Sequence, residues 1–253
     1  GPSRLESFQD HYLVCEDGHV AGIFDTLPAR YAGIAVENSS GALIVPGMTD
    51  LHVHAPQYAF RGLGMDMELL DWLRAYTFPE ESRYGDMAYA EKAYGVFVDD
   101  LKHSTATRAC IFATIHPDTT LLLMRMLEKT GLVTKVGKVN MDANSPDDYV
   151  ETTADSLAAT VAWIRQSLSA FRYVSPILTP RFVPSCSAAL MAGLGRLQGE
   201  YGLPVQSHLS ENPGEVDWVK SLFPDSTCYG DVYDRFGLFG SGGSTVMAHC
   251  VYS

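Results

Sequence analysis

The sequence ALIVPGMTDLHVH, residues 42–54, joins an apolar run to a pair of histidines. The run predicts a buried β-strand, and residues two positions apart on a strand point to the same side. We therefore expect the imidazoles of His52 and His54 to face one point at the carboxyl end of this strand. Two surface histidines at a strand end are the alternative, since an isolated H-x-H motif is found in both settings.

After this strand, short apolar runs alternate with longer amphipathic stretches, which is typical of β/α repeats. The predicted strands cover residues 42–52, 106–115, 133–141, 175–182, 204–209 and 244–250. The predicted helices cover residues 87–102, 119–129, 153–169, 187–201 and 211–222. A closed (β/α)8 TIM-like barrel needs eight such units, and the pattern supplies about six. We therefore predict an α/β barrel whose last two strands lie outside residues 1–253.

The first forty or so residues have a different pattern. HYLVCEDGHVAGIFDTLP, residues 11–28, predicts two short strands joined by a turn at Glu16, Asp17 and Gly18. We predict a small, partial β-sandwich-like appendage over residues 1–41 and the barrel over residues 42–253.

The composition limits the classes of partner. A formal net charge of -12 at pH 7 opposes binding to nucleic acid and to anionic membranes. The five cysteines are scattered and form no C-x-x-C pair, as suits a reducing compartment. The sequence shows neither a signal-peptide pattern nor a membrane-length apolar stretch. We expect a soluble, cytoplasmic protein that acts on a small molecule.

Three more candidate site residues lie at or just after predicted strand ends. His208 in PVQSHLSEN and His249 in STVMAHC each end a strand, and Glu211 follows His208 by three positions. The imidazoles of His52, His54 and His208, with a carboxylate from elsewhere, would form a catalytic metal site with an open position for water. Zn²⁺ suits these donors, with Fe²⁺ as the second choice. Glu211 is the candidate proton shuttle, although the N-terminus of a helix also favours a carboxylate there.

Several longer motifs resemble the amidohydrolase superfamily and, within it, the guanine deaminases. PGMTDLHVH, QSHLSE and MAHC carry the superfamily pattern. The motifs that resemble guanine deaminases more specifically are HVHAPQY, LLDWLRAYTFPEE, FATIHPDTTLLL, VGKVNMD and TPRFVPSCS. The resemblance extends from about residue 12 to residue 252.

This resemblance implies hydrolytic deamination of guanine to xanthine and ammonia by a metal-activated water, in purine catabolism. It implies three metal ligands, His52, His54 and His208. It further implies two catalytic residues, Glu211 and His249, and three substrate contacts, Gln57, Arg181 and Phe182. Relatives commonly form homodimers, so we expect a homodimer here as well.

The resemblance also implies an aspartate ligand beyond Ser253, so we expect residues 1–253 alone to be inactive. An amidohydrolase that acts on a different purine, a pterin or a triazine is the alternative enzyme. Gln57 and Arg181 distinguish the two hypotheses, because other substrates would need different polar partners. A truncated, non-catalytic fragment that binds metal is the alternative outside the enzymes.

Overall fold

The computed structural model describes residues 4, 6–239 and 244–253. The chain divides into two compact units, Gly1–Pro46 and Gly47–Ser253. The predicted domain boundary between residues 41 and 42 stays a prediction.

The first unit contains an antiparallel hairpin of β1 (Tyr12–Glu16) and β2 (His19–Phe24). Asp17 and Gly18 form the turn, with φ angles of 50° and 77°. Two consecutive positive φ angles are typical of the tight turns whose twist matches that of a hairpin. The apolar run 43–45 is exposed, and this segment is not a strand.

The second unit contains parallel strands that alternate with helices. The strands are β3 (Met48–His54), β4 (Ala106–Phe112), β5 (Val133–Gly137), β6 (Val139–Asn140), β7 (Val174–Pro176), β8 (Thr179–Pro180), β9 (Val205–Leu209) and β10 (Thr245–His249). The α-helices are α1 (Leu69–Trp72), α2 (Phe78–Ser82), α3 (Met87–Lys102), α4 (Pro117–Glu128), α5 (Thr153–Ser167), α6 (Ala188–Tyr201), α7 (Pro213–Leu222) and α8 (Tyr229–Arg235). A π-helical turn at Leu73–Thr77 joins α1 to α2.

Every strand pairing in this unit is parallel among the residues that the structure describes. The order β3-β4-β5-β7 forms one sheet, β6 pairs with β8, and β9 pairs with β10. A single bridge between Leu178 and Val205 connects the β8 segment to β9. The parallel α/β fold is therefore confirmed, while closure into a barrel of eight strands stays a prediction.

Local sequence explains where the main helices begin and end. The Asp86 carboxylate accepts the backbone N–H groups of Ala88 and Tyr89 at the start of α3. Asn212 and Glu215 form a capping box at the start of α7, with Pro213 at its first position. Each of these N-caps accepts hydrogen bonds from backbone N–H groups that the first turn of a helix leaves unpaired.

Several predicted boundaries were wrong. The first strand begins at Met48 instead of residue 42, because Pro46 cannot donate a backbone hydrogen bond to a neighbouring strand. Residues 133–141 contain two strands, β5, which ends at Gly137, and β6, which begins at Val139. A Cβ atom at Gly137 would lie 1.7 Å from Oγ1 of Thr179, so only glycine permits this close approach.

The core lies between the strands and their helices. It joins strand residues such as Ile111 and Val136 to helix residues such as Phe97, Met124 and Ile164. A second apolar cluster packs Leu73 and Phe78 against Phe112, Tyr149 and Phe182. None of the helices in the described residues has an apolar stretch suited to a lipid bilayer.

Candidate metal centre and pocket

One pocket lies at the carboxyl ends of the parallel strands. Its lining comprises ten residues, namely His52, His54, Gln57, Leu69, Leu73, Arg181, Phe182, His208, Glu211 and His249. The structure therefore brings the eight candidate site residues of the sequence together, although they span almost 200 positions of the chain. Leu69 and Leu73 add an apolar wall that the sequence pattern did not indicate.

Three imidazoles meet at one side of this pocket. Candidate ligand nitrogens of His52, His54 and His208 all lie within 4.8 Å of one another. The Nε2 atoms of His54 and His208 are 2.9 Å apart. His208 Nδ1 lies 2.6 Å from the carbonyl oxygen of Arg181, which can only accept a hydrogen bond. Nδ1 of His208 therefore carries the proton, and its Nε2 presents a lone pair.

The protonation state of these imidazoles suits a cation. Burial, with the neighbouring charges of His249 and Arg181, lowers the pKa of His52 to about 4. Burial also holds the pKa values of His54 and His208 well below the usual range. Neutral imidazole is the form that binds metal ions.

Unpaired ring nitrogens give a further test of the fit. Nδ1 of His52 and Nδ1 of His54 are buried and have no hydrogen-bond partner among the described residues. Because Nε2 of His208 presents a lone pair, the 2.9 Å contact either holds a proton donated by Nε2 of His54 or brings two lone pairs to one cation. The three nitrogen donors therefore fit a divalent metal ion, with further ligand positions left for water and a carboxylate.

Glu211 and His249 lie together in the same pocket. Nε2 of His249 is 3.4 Å from Oε2 of Glu211. Burial, followed by the charge of Glu215, raises the pKa of Glu211 to about 7, although Arg181 opposes the shift. A carboxyl group with a pKa near neutrality both accepts and gives a proton readily at neutral pH.

The backbone around these two residues adopts an uncommon conformation. Ser210 and His249 have φ angles of 52° and 72°, in the left-handed region that side chains other than glycine rarely adopt. Such conformations cost free energy and concentrate at functional sites. Here they occur where β9 and β10 end, and they direct the chain around the rim of the pocket.

Arg181 and Gln57 share one partner, Glu81, which is fully buried in α2. The two terminal nitrogens of Arg181 donate to Glu81, Nη1 to Oε2 at 2.5 Å and Nη2 to Oε1 at 3.2 Å. Nε2 of Gln57 donates to Oε1 at 3.1 Å. Sequence reasoning missed Glu81, although it closes the motif LLDWLRAYTFPEE, in which two adjacent glutamates follow an apolar stretch.

Phe182 supplies the aromatic surface of the pocket. It is 5% exposed, and its ring lies 6.3 Å from that of Trp218 at an interplanar angle of 82°. An apolar face beside hydrogen-bonding groups is typical of a site for a flat heterocycle. His116 follows β4 in the chain but does not line this pocket.

Comparison with known proteins agrees with this site. The sequence model of the amidohydrolase family matches residues 43–253. Guanine deaminase from Dictyostelium discoideum is 44% identical over 219 residues, which are 86% of this chain and 48% of that protein. Guanine deaminase from Escherichia coli is 39% identical, with 99% of this chain and 57% of that protein covered.

A solved structure gives the corresponding spatial comparison. Guanine deaminase from C. acetobutylicum with bound guanine in the active site superposes with a TM-score of 0.94 at 50% identity. The match covers 96% of this chain and 58% of that one. The chain thus spans about half the length of the relatives that it matches.

Proposed function

Because this chain belongs to the amidohydrolase family, we propose that the protein catalyses the hydrolytic deamination of guanine to xanthine and ammonia. The observation that carries the proposal is the composition of a single pocket. Three histidines able to hold a cation line it together with a proton-transferring carboxylate, two polar side chains and an aromatic ring. The named relatives and the guanine-bound structure support guanine over a pterin, a triazine or another purine.

We assign the cation as zinc, with Fe²⁺ as the second choice, held by His52, His54 and His208. A divalent cation at this position supplies Lewis acidity, which makes water a nucleophile near neutral pH. An aspartate ligand beyond Ser253 stays a prediction. His208 is held in the required tautomer by its hydrogen bond to the carbonyl of Arg181.

Glu211 moves the proton. Its carboxylate accepts a proton from the attacking water and delivers it to a ring nitrogen of the purine. Burial raises its pKa to about 7 in the metal-free protein, and a carboxyl group that titrates near neutrality suits both steps. His249, whose Nε2 lies 3.4 Å from Glu211, orients the same water.

Gln57, Arg181 and Phe182 bind the purine. The two polar side chains make hydrogen bonds to the edge of the heterocycle, and Phe182 contacts its face. Leu69 and Leu73 exclude water from the other side of the pocket. A homodimer and a cytoplasmic location remain predictions of the sequence.

The test uses the full-length protein, incubated with guanine while xanthine and ammonia are measured. The variant His52→Ala should lose bound zinc, measured by elemental analysis, and lose at least about 10³-fold in kcat. The control, His103→Ala, changes an exposed histidine at the end of α3 and should keep both zinc and activity. Equal rates for His52→Ala and the wild-type protein would contradict the assignment of a catalytic metal. If the wild-type protein forms no xanthine, the proposed function is wrong.

A further inference from the structure

We propose that Glu81 is a positioning residue that determines which groups in the substrate pocket donate hydrogen bonds and which accept them. Through Gln57 and Arg181, it makes the pocket complementary to a lactam edge, in which a ring N–H lies beside a carbonyl oxygen. It thereby discriminates against the reverse edge, in which a ring nitrogen acceptor lies beside an amino group. The inference deepens the proposed function and rests on it.

Glu81 acts from behind the pocket. It is 0% exposed and is not among the residues that line the cavity. Its carboxylate receives hydrogen bonds from Arg181, from Gln57 and from the hydroxyl of Tyr149 at 2.9 Å. An ionised carboxylate can only accept hydrogen bonds, so each of these neighbours must turn a donor toward it.

The orientation of the Gln57 amide follows from this requirement. An amide side chain carries one donor group, NH₂, and one acceptor, the carbonyl oxygen. Because Nε2 donates one N–H to Glu81 at 3.1 Å, the amide is held from turning over, and the carbonyl oxygen Oε1 is left for a ligand together with the second N–H. Gln57 therefore offers the pocket an acceptor in a fixed position, whereas the amide of a free glutamine could turn over.

Glu81 also compensates the positive charge of Arg181. The guanidinium is 2% exposed, and its ion pair with the buried carboxylate neutralises it. The ring of Phe78 lies 5.2 Å from the guanidinium carbon and further restricts its position. Arg181 then presents its remaining N–H donors to a ligand without attracting anions through an unpaired positive charge.

An acceptor from Gln57 and a donor from Arg181 together match a lactam. Guanine carries such an edge, with N1–H beside the C6 carbonyl. The analogue 2,6-diaminopurine keeps the same 2-amino leaving group but presents N1 as an acceptor beside a 6-amino donor. In the pocket its N1 acceptor would face the acceptor of Gln57, and its 6-amino donor would face the donors of Arg181. Polar groups left unpaired in a buried site weaken binding, so the pocket should discriminate strongly against this analogue.

The experiment compares guanine with 2,6-diaminopurine as substrates of the full-length, metal-loaded protein. Wild-type protein should prefer guanine in kcat/KM by roughly 10²-fold or more. Glu81→Gln provides a donor as well as an acceptor, which allows the Gln57 amide to turn over. This variant should narrow the preference by about tenfold, mainly through a higher KM for guanine.

A matched control separates this effect from a general loss of structure. Glu80→Gln removes the same charge one position away, where Glu80 contacts Arg83 and Tyr89 instead of pocket residues. It should leave the guanine preference unchanged. A loss of both activities by the same factor in Glu81→Gln would overturn the inference, because a merely structural residue has that effect.

Two further measurements cover the remaining outcomes. If Glu81→Gln does not fold, Glu81→Asp keeps the charge but is too short to hold both Arg181 and Gln57, so it should narrow the preference in the same direction. An unchanged preference in Glu81→Asp would then overturn the inference. Calorimetric binding of the two purines gives the ratio without turnover, so an inactive wild-type protein would contradict the proposed function and still leave the polarity of the pocket measurable.

Discussion

The carboxylate of Glu215 accepts a hydrogen bond from the backbone N–H of Glu211 at 2.9 Å. This bond links the segment after β9, which holds Glu211, to the first turn of α7, which holds Glu215. Tyr229 donates its hydroxyl to the other oxygen of Glu215 at 2.6 Å. This arrangement places the carboxylate of Glu215 beside Glu211, the residue that we assign to proton transfer. The charge of Glu215 contributes to the raised pKa of Glu211.

Replacement of Glu211 should stabilise the protein at neutral and alkaline pH. The pKa of Glu211 is raised from 4.5 to about 7 on folding, mainly by burial. The folded state therefore binds more protons than the unfolded state between these values. The contribution of Glu211 to stability is fully present below pH 4.5 and is lost as the pH rises to about 7.

We therefore compare the unfolding free energies of metal-free Glu211→Gln and wild type at pH 4.5 and at pH 8. As the pH rises from 4.5 to 8, the difference should change by on the order of 1–3 kcal/mol in favour of the variant. Urea denaturation at both pH values measures the gain. A stability difference that does not vary with pH would contradict it.

Glu215→Gln should shift the pH dependence of activity. The charge of Glu215 is the second cause of the raised Glu211 pKa, so its removal lowers that pKa. Glu211 must be ionised to accept a proton from water, so the acidic limb of kcat/KM should move to lower pH. A bound cation lowers the same pKa in both proteins and leaves the direction of the difference unchanged. An acidic limb at the same pH in the variant and the wild type would exclude this coupling.

The fold and part of the site follow from local rules of the sequence. Alternation of apolar and amphipathic stretches indicated the parallel α/β fold, which the structure confirms. The spacing of His52 and His54 depends only on the two-residue period of a strand, and His208 was found because it ends a short predicted strand. Such features need no knowledge of what packs against them.

Glu81 was beyond those rules because its role depends on contacts distant in sequence. Arg181, its strongest partner, lies 100 positions away, and Tyr149 lies 68 positions away. The surrounding helices α1 and α2 have only four and five residues, too few for an amphipathic period to show. The start of β3 at Met48 was missed for another reason, since the apolar run before it is exposed.

The affinity for zinc should depend weakly on pH in the mildly acidic range. Three ordinary imidazoles with pKa values near 6.5 would lose roughly 10²- to 10³-fold in metal affinity between pH 7 and 5.5, because protons compete for the ligand nitrogens. Burial lowers the pKa of His52 to about 4 and holds those of His54 and His208 well below 6.5. We expect a loss of less than about tenfold, measured by competition with a chromophoric chelator. A loss of a hundredfold would show that the three histidines titrate like exposed ones.

Lys138→Met should destabilise the protein strongly although Lys138 does not line the pocket. Lys138 is 0% exposed, and its Nζ lies 2.7 and 2.5 Å from the two carboxylate oxygens of Glu151. Burial lowers the pKa of Lys138, while Glu151 opposes that shift, so the pair holds two charges in a poorly solvated place.

Removal of one partner leaves the Glu151 charge uncompensated and should cost about 3 kcal/mol in urea denaturation. The double variant Lys138→Met with Glu151→Gln should recover part of that loss, since it leaves no charge behind. Arg74→Met is the matched control, because its partner Asp71 and Arg74 itself are both largely exposed, and such pairs contribute at most about 1 kcal/mol. Equal losses for Lys138→Met and for the double variant would mean that packing of the lysine stem, not its charge, stabilises this region.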